Sequence, residues 1–108
     1  MVLAMFRALS DPTRLRILHL LADGELCVGD LVEILDVPQP TASRHLAYLR
    51  KAALVATRAK GLWIYYRLAP SRSRFHAKLL GCLSDIPRSP ADVRRRSKLK
   101  ASGGCCPR

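Results

Sequence analysis

A chain of 108 residues makes one small domain, long enough for a modest core and too short for two. Its 19 Lys and Arg stand against 8 Asp and Glu, giving a net charge of +11 and a pI near 10.4; the expected partner is a polyanion, nucleic acid ahead of a membrane surface. No apolar run approaches the roughly 20 residues that span a bilayer and the start is too short for a secretory leader, so a cytoplasmic protein whose four cysteines are thiols is expected.

Val2, Met5, Phe6 and Leu9 recur at i, i+3, i+4 and i+7, which predicts a one-sided first helix in need of a partner. Ser10-Asp11-Pro12 starts a second helix, with Asp11 as cap and Pro12 where no N–H is required. That helix runs to about Ala22, is apolar over a wide arc, and makes His19 a core histidine; Asp23-Gly24 stops it. A short third helix follows over Val28 to Leu35, and Asp36-Val37-Pro38-Gln39-Pro40 is too proline-rich to continue it.

Thr41 then opens a fourth helix. Ala42, Leu46, Leu49 and Ala53 form one narrow apolar stripe; Arg44, Tyr48 and Lys51 fall opposite it, with Thr41, Ser43 and His45 beside them. Every residue type on that outer surface donates hydrogen bonds and none is acidic, as a major-groove reader requires. Helix, tight turn and polar-faced helix make a helix-turn-helix.

From Leu54 the period turns from helical to alternating. Residues 54–58 and 62–68 read as strands, with Ala59-Lys60-Gly61 as the turn and Trp63, Tyr65 and Tyr66 as their core. Such a basic hairpin is a wing that brings Arg58 and Lys60 to phosphates or the minor groove. A last helix over about 73–83 carries Phe75, Leu79, Cys82, Leu83 and Ile86 on its apolar side. Residues 88–108 hold seven Arg or Lys against Asp92 alone and read as a mobile basic tail. The expected fold is therefore mainly α with a small β-hairpin: a winged helix-turn-helix over 1–86 and a flexible basic tail with a Cys pair over 87–108. The candidate DNA contacts are Gln39, Thr41, Ser43, Arg44, His45, Tyr48, Arg58 and Lys60.

Four segments together resemble the ArsR/SmtB family of winged-helix repressors: Phe6 to Leu18, Gly24 to Leu31, Gln39 to Lys51, and Gly61 to Leu68. They fall in the family's order and spacing over roughly the first eighty residues. The resemblance implies a homodimer through the first and last helices, an operator with inverted half-sites, and release of double-stranded DNA when an inducer binds. A two-fold pairing of two one-sided helices would also cover their apolar surface and set two recognition helices about 34 Å apart.

Arsenic-responsive members often carry Glu-Leu-Cys-Val-Cys-Asp-Leu at the third helix; here Gly29 replaces the second cysteine, leaving Cys27. A trivalent metalloid wants about three thiolates, so one cysteine does not suffice. Adjacent Cys105 and Cys106, freed by Gly103-Gly104, supply two sulfurs, and Cys27 or Cys82 the third. The expected inducer is arsenite, antimonite or another soft metal ion, with no constitutive cofactor. The family's zinc sites use carboxylate and histidine ligands on the last helix, where this chain has only His76 and, nine positions on, Asp85. Two alternatives share the DNA binding: a thiol-redox-responsive repressor, and a basic DNA-binding protein without inducer. An enzyme is not expected, because the chain has no Cys-x-x-Cys pair, phosphate-binding Gly loop or His-Glu-x-x-His helix.

Overall fold

Asp11 caps α2 (Pro12–Ala22) by accepting the Arg14 N–H at 3.0 Å, with Pro12 in the first turn. Burial pushes the Asp11 carboxyl up, but the Arg14 N–H and the His45 and Arg14 charges outweigh it and hold the group below its usual range. The computed structural model describes residues 2–104. In it α1 (Val2–Leu9) precedes α2, and α3 (Val28–Leu35) follows, all with the expected limits. Met5 and Ala8 of α1, Ile17, Leu18, Leu20 and Leu21 of α2, and Leu31, Ile34 and Leu35 of α3 join Leu46 and Leu49 in one core. His19 is buried with Nε2 at 2.9 Å from the Leu83 carbonyl, a satisfied core histidine.

The recognition helix α4 spans Gln39–Lys51, two residues earlier than expected. The proline-rich stretch does not delay it, because Pro40 sits in the first turn, whose N–H groups have no helical partner. Ala53 is not on α4 but just past it, in the left-handed region at φ 63°. Its N–H donates to the Arg50 carbonyl and that of Leu54 to the Leu49 carbonyl, a Schellman closure in which alanine occupies the usual glycine position.

β2 (Val55–Lys60) and β3 (Trp63–Leu68) pair antiparallel, and β1 (Leu26–Cys27), which the sequence did not suggest, adds on the other side of β3. The turn is Gly61-Leu62, since Lys60 pairs with Trp63; Gly61 takes φ 60°, which a two-residue hairpin of the II′ kind assigns to glycine. Of the expected wing core only Tyr65 is fully buried, whereas Trp63 is 43% and the adjacent Ile64 49% exposed near the tip. α5 (Arg74–Gly81) runs into a 3-10 turn over Cys82–Asp85.

Residues 90–101 depart most from expectation. They form α6 (Pro90–Ala101), capped by Ser89 and packed on α3, where composition suggested a mobile tail. Polar contacts hold it: Asp92 accepts Arg16 Nε at 2.8 Å and Nη2 at 2.7 Å, Arg95 donates to the Ile34 carbonyl, and Arg96 to the Leu20 carbonyl. These arginines satisfy carbonyls at the C-terminal ends of α2 and α3, where positive charge is favoured. Asp92 in turn keeps the Arg16 guanidinium even more firmly protonated than usual.

Candidate nucleic-acid interface and thiol positions

Burial of Ala42, Leu46 and Leu49 turns the opposite side of α4 outward. Arg44 and Lys51 are exposed there, and Gln39 donates from its amide to the Ser43 hydroxyl at 2.8 Å, one turn away. Thr41, Ser43 and His45 are half-buried. The Arg44 side chain has no hydrogen bond or ion pair among the described residues, so its fork is available to a guanine edge or a phosphate. His45 and Tyr48 have prior partners: Arg14 lies 3.4 Å from His45 Nδ1 and stacks 4.1 Å from the Tyr48 ring centre. The sequence singled out neither Arg14 nor that network, since residues 31 and 34 positions apart carry no local signature.

Of the two wing cations expected to reach DNA, Lys60 is exposed near the tip. Arg58 is clasped by Glu25, at 3.0 Å from Nε and 2.6 Å from Nη2, and lies 4.7 Å from the Tyr65 ring centre. That carboxylate holds the Arg58 charge still more firmly, and in doing so offsets it locally. Glu25→Gln is therefore expected to raise affinity for a random duplex a few-fold at low salt and steepen the salt dependence by about one counterion. Fluorescence anisotropy over a salt series measures both; an unchanged slope would put Arg58 away from the phosphates.

Cys27 is buried at the junction of wing and helix-turn-helix. It pairs with Tyr65 across β1 and β3, and its Sγ caps α3 by accepting the Asp30 N–H at 3.5 Å. Cys27 is disulfide-bonded, against the expectation of free thiols, whereas Cys82 is a free thiol, exposed rather than packed on the α5 stripe. Cys105 and Cys106 lie outside the described residues. The last described positions, Gly103 and Gly104, line a cleft of about 450 Å³ together with Glu25, Leu26, Ile34 and Leu99, so α6 returns the chain to the neighbourhood of Cys27. Among the described residues no group of three His, Cys, Asp or Glu is placed to hold a metal ion. His76 is buried with Nδ1 accepting the Arg72 N–H at 3.2 Å. No helix among the described residues is long and apolar enough to cross a membrane.

Three core helices, a polar-faced recognition helix and a two-stranded wing define a winged helix-turn-helix DNA-binding protein. Residues 11–57 match the family described as bacterial regulatory protein, arsR family. The chain is 48% identical over 77 residues to the arsenical resistance operon repressor of Escherichia coli, covering 70% of this chain and 66% of that one. It is 51% identical over 67 residues to an arsenic resistance transcriptional regulator of Pseudomonas putida, covering 61% and 52%. The match thus spans between half and two thirds of those relatives' lengths. A solved structure from Mycobacterium bovis, the homodimeric winged helix-turn-helix DNA-binding domain of a possible ArsR-family regulator, superposes with a TM-score of 0.67 at 33% identity, covering 78% of this chain and 75% of that one. The chain belongs to the ArsR family of DNA-binding transcriptional regulators.

Proposed function

We propose that this protein is a homodimeric repressor that holds an operator with inverted half-sites and releases it when arsenite or antimonite is bound by the thiolates of Cys27, Cys105 and Cys106. In this reading Gln39, Thr41, Ser43 and Arg44 face the major groove, Lys60 and Arg58 the flanking backbone, and His45 and Tyr48 the groove edge. The observation that carries the metalloid assignment is the return of the chain toward the segment that holds Cys27, with Gly103 and Gly104 lining the same cleft as Glu25 and Leu26, the two residues before it. That proximity favours Cys27 over Cys82 as the third ligand.

From the reduced thiols the exchange balances; the disulfide at Cys27 must first be opened by a thiol reductant, which supplies two electrons per disulfide. As(OH)₃ exchanges its three hydroxides for three thiolates, and the thiol protons leave with them as three waters. Cys27 caps α3 and borders β3, so a ligand on its sulfur bears on the helix-turn-helix and the wing together. A two-state dimer biased at that junction would lose operator affinity.

The disulfide at Cys27 supports a second reading, in which oxidation of these thiols is the signal. Titrating the reduced protein on its own promoter DNA with arsenite, and separately with peroxide, distinguishes them. Arsenite is expected to weaken binding at least about tenfold, and Cys27→Ser or Cys105→Ser/Cys106→Ser to bind DNA normally without that response. Release by peroxide alone would favour the redox reading, and arsenite release unaffected by either variant would sink the proposed ligand set.

A further inference from the structure

We propose that Arg14 is a positioning residue for DNA recognition: it sets the angle of the recognition helix against the dimerisation helix, and so fixes the operator half-site spacing that the protein accepts. The inference rests on the two-half-site reading above.

A shallow groove of about 130 Å³ lined by Ala4, Arg7, Tyr48, Lys51 and Ala52 runs between α1 and α4. This groove leaves the outer side of the α1–α4 junction without close side-chain packing, although Met5 and Ala8 of α1 share the core with Leu46 and Leu49 of α4. Arg14, from the first turn of α2, reaches both helices. Its Nε donates to the Ala8 carbonyl at 2.9 Å and its Nη2 to the Arg7 carbonyl at 3.0 Å in the last turn of α1, the latter shared with the Ser10 N–H and hydroxyl. Nη1 meets His45 Nδ1 at 3.4 Å, and the guanidinium plane covers the Tyr48 ring at 4.1 Å. The Arg14 backbone is itself pinned, since its N–H donates to the Asp11 cap.

One rigid fork therefore ties the end of the dimer helix to two side chains on the reading helix. Guanidinium suits this task because its planar donors point in fixed directions while its face stacks on an aromatic ring. An ammonium keeps the charge but cannot hold two carbonyls and an imidazole in one plane while a flat face covers a ring. Rotation of α4 about this joint would swing both recognition helices of a dimer relative to the two-fold axis, and half-site spacing is the quantity that such a swing changes.

The test uses a duplex that the wild-type protein selects from a random DNA pool, with the spacing between its half-sites then varied by single base pairs. The wild type is expected to show a sharp spacing optimum. Arg14→Lys should lose about tenfold in affinity at that optimum, the scale of one or two charge-assisted hydrogen bonds, and bind neighbouring spacings almost equally well. Its dimer mass and its affinity for a random duplex should stay unchanged, which separates positioning from misfolding. Arg14→Gln, which retains one donor arm, serves if the lysine variant does not fold. A spacing optimum as sharp in the folded variant as in the wild type would overturn the positioning role alone. A wild type indifferent to spacing would overturn the two-half-site reading and the proposal with it.

Discussion

Asp92→Ala is expected to cost about 3 kcal/mol of unfolding free energy, near the lower end for breaking a buried ion pair, and to release α6 from α3. The Asp92 side chain is only 5% exposed and receives two Arg16 donors, with Arg95 a further 3.7 Å away. Removing the carboxylate leaves the Arg16 guanidinium, 28% exposed, with the Leu35 carbonyl as its remaining hydrogen-bond acceptor among the described residues. Partial access to water keeps the cost below that of a fully enclosed charge. The double variant Arg16→Met/Asp92→Leu should fall within about 1 kcal/mol of wild type, because apolar replacement removes the uncompensated charge along with the pair. Urea unfolding measures both variants, and amide exchange over 90–101 reports whether α6 has undocked. A cost under about 0.5 kcal/mol for Asp92→Ala would reduce the pair to a surface contact. Undocking should also blunt the proposed arsenite response, since α6 is what carries the chain back toward the segment that holds Cys27.

The helix limits of α1, α2 and α3 were legible because their signals are local: apolar residues at helical spacing, an Asp-Pro start, a proline-rich stop. The outer side of α4 was legible for the same reason. What the sequence concealed is polar and long-range. α6 carries few large apolar residues, so composition reads it as a solvated run. Its stability comes from Arg16, Arg95 and Arg96 meeting a carboxylate and helix-end carbonyls up to 76 positions away. The Glu25–Arg58 clasp spans 33 positions and changes the meaning of a wing arginine that looked free for DNA. β1 is two residues long, too short for any alternation to register, and yet it sets Cys27 beside Tyr65. For the thiols, spacing identified the candidates, while the direction of α6 bears on which of them share a neighbourhood.

Phe6→Glu is expected to leave the protomer folded and to lower operator affinity by about a hundredfold or more, the scale on which two linked half-sites exceed one. Val2, Leu3 and Phe6 of α1 are 47%, 69% and 53% exposed, and Phe75 of α5 is 38% exposed. Phe6 and Phe75 meet with ring centres 5.7 Å apart and planes tilted by 60°, so the two helices present one continuous apolar surface. A glutamate at position 6 of an isolated protomer keeps its charge in water and costs little. Across a two-fold axis the same charge would be buried opposite apolar partners or its own copy, which disfavours pairing strongly. Sedimentation velocity should therefore show monomer for Phe6→Glu and dimer for Phe6→Leu. Anisotropy on a single half-site should agree between the two variants within about twofold, since one recognition helix is intact in each, whereas the full operator should discriminate sharply between them. A Phe6→Glu protein that stays dimeric and keeps full operator affinity would mean that the pairing surface lies elsewhere than on α1 and α5.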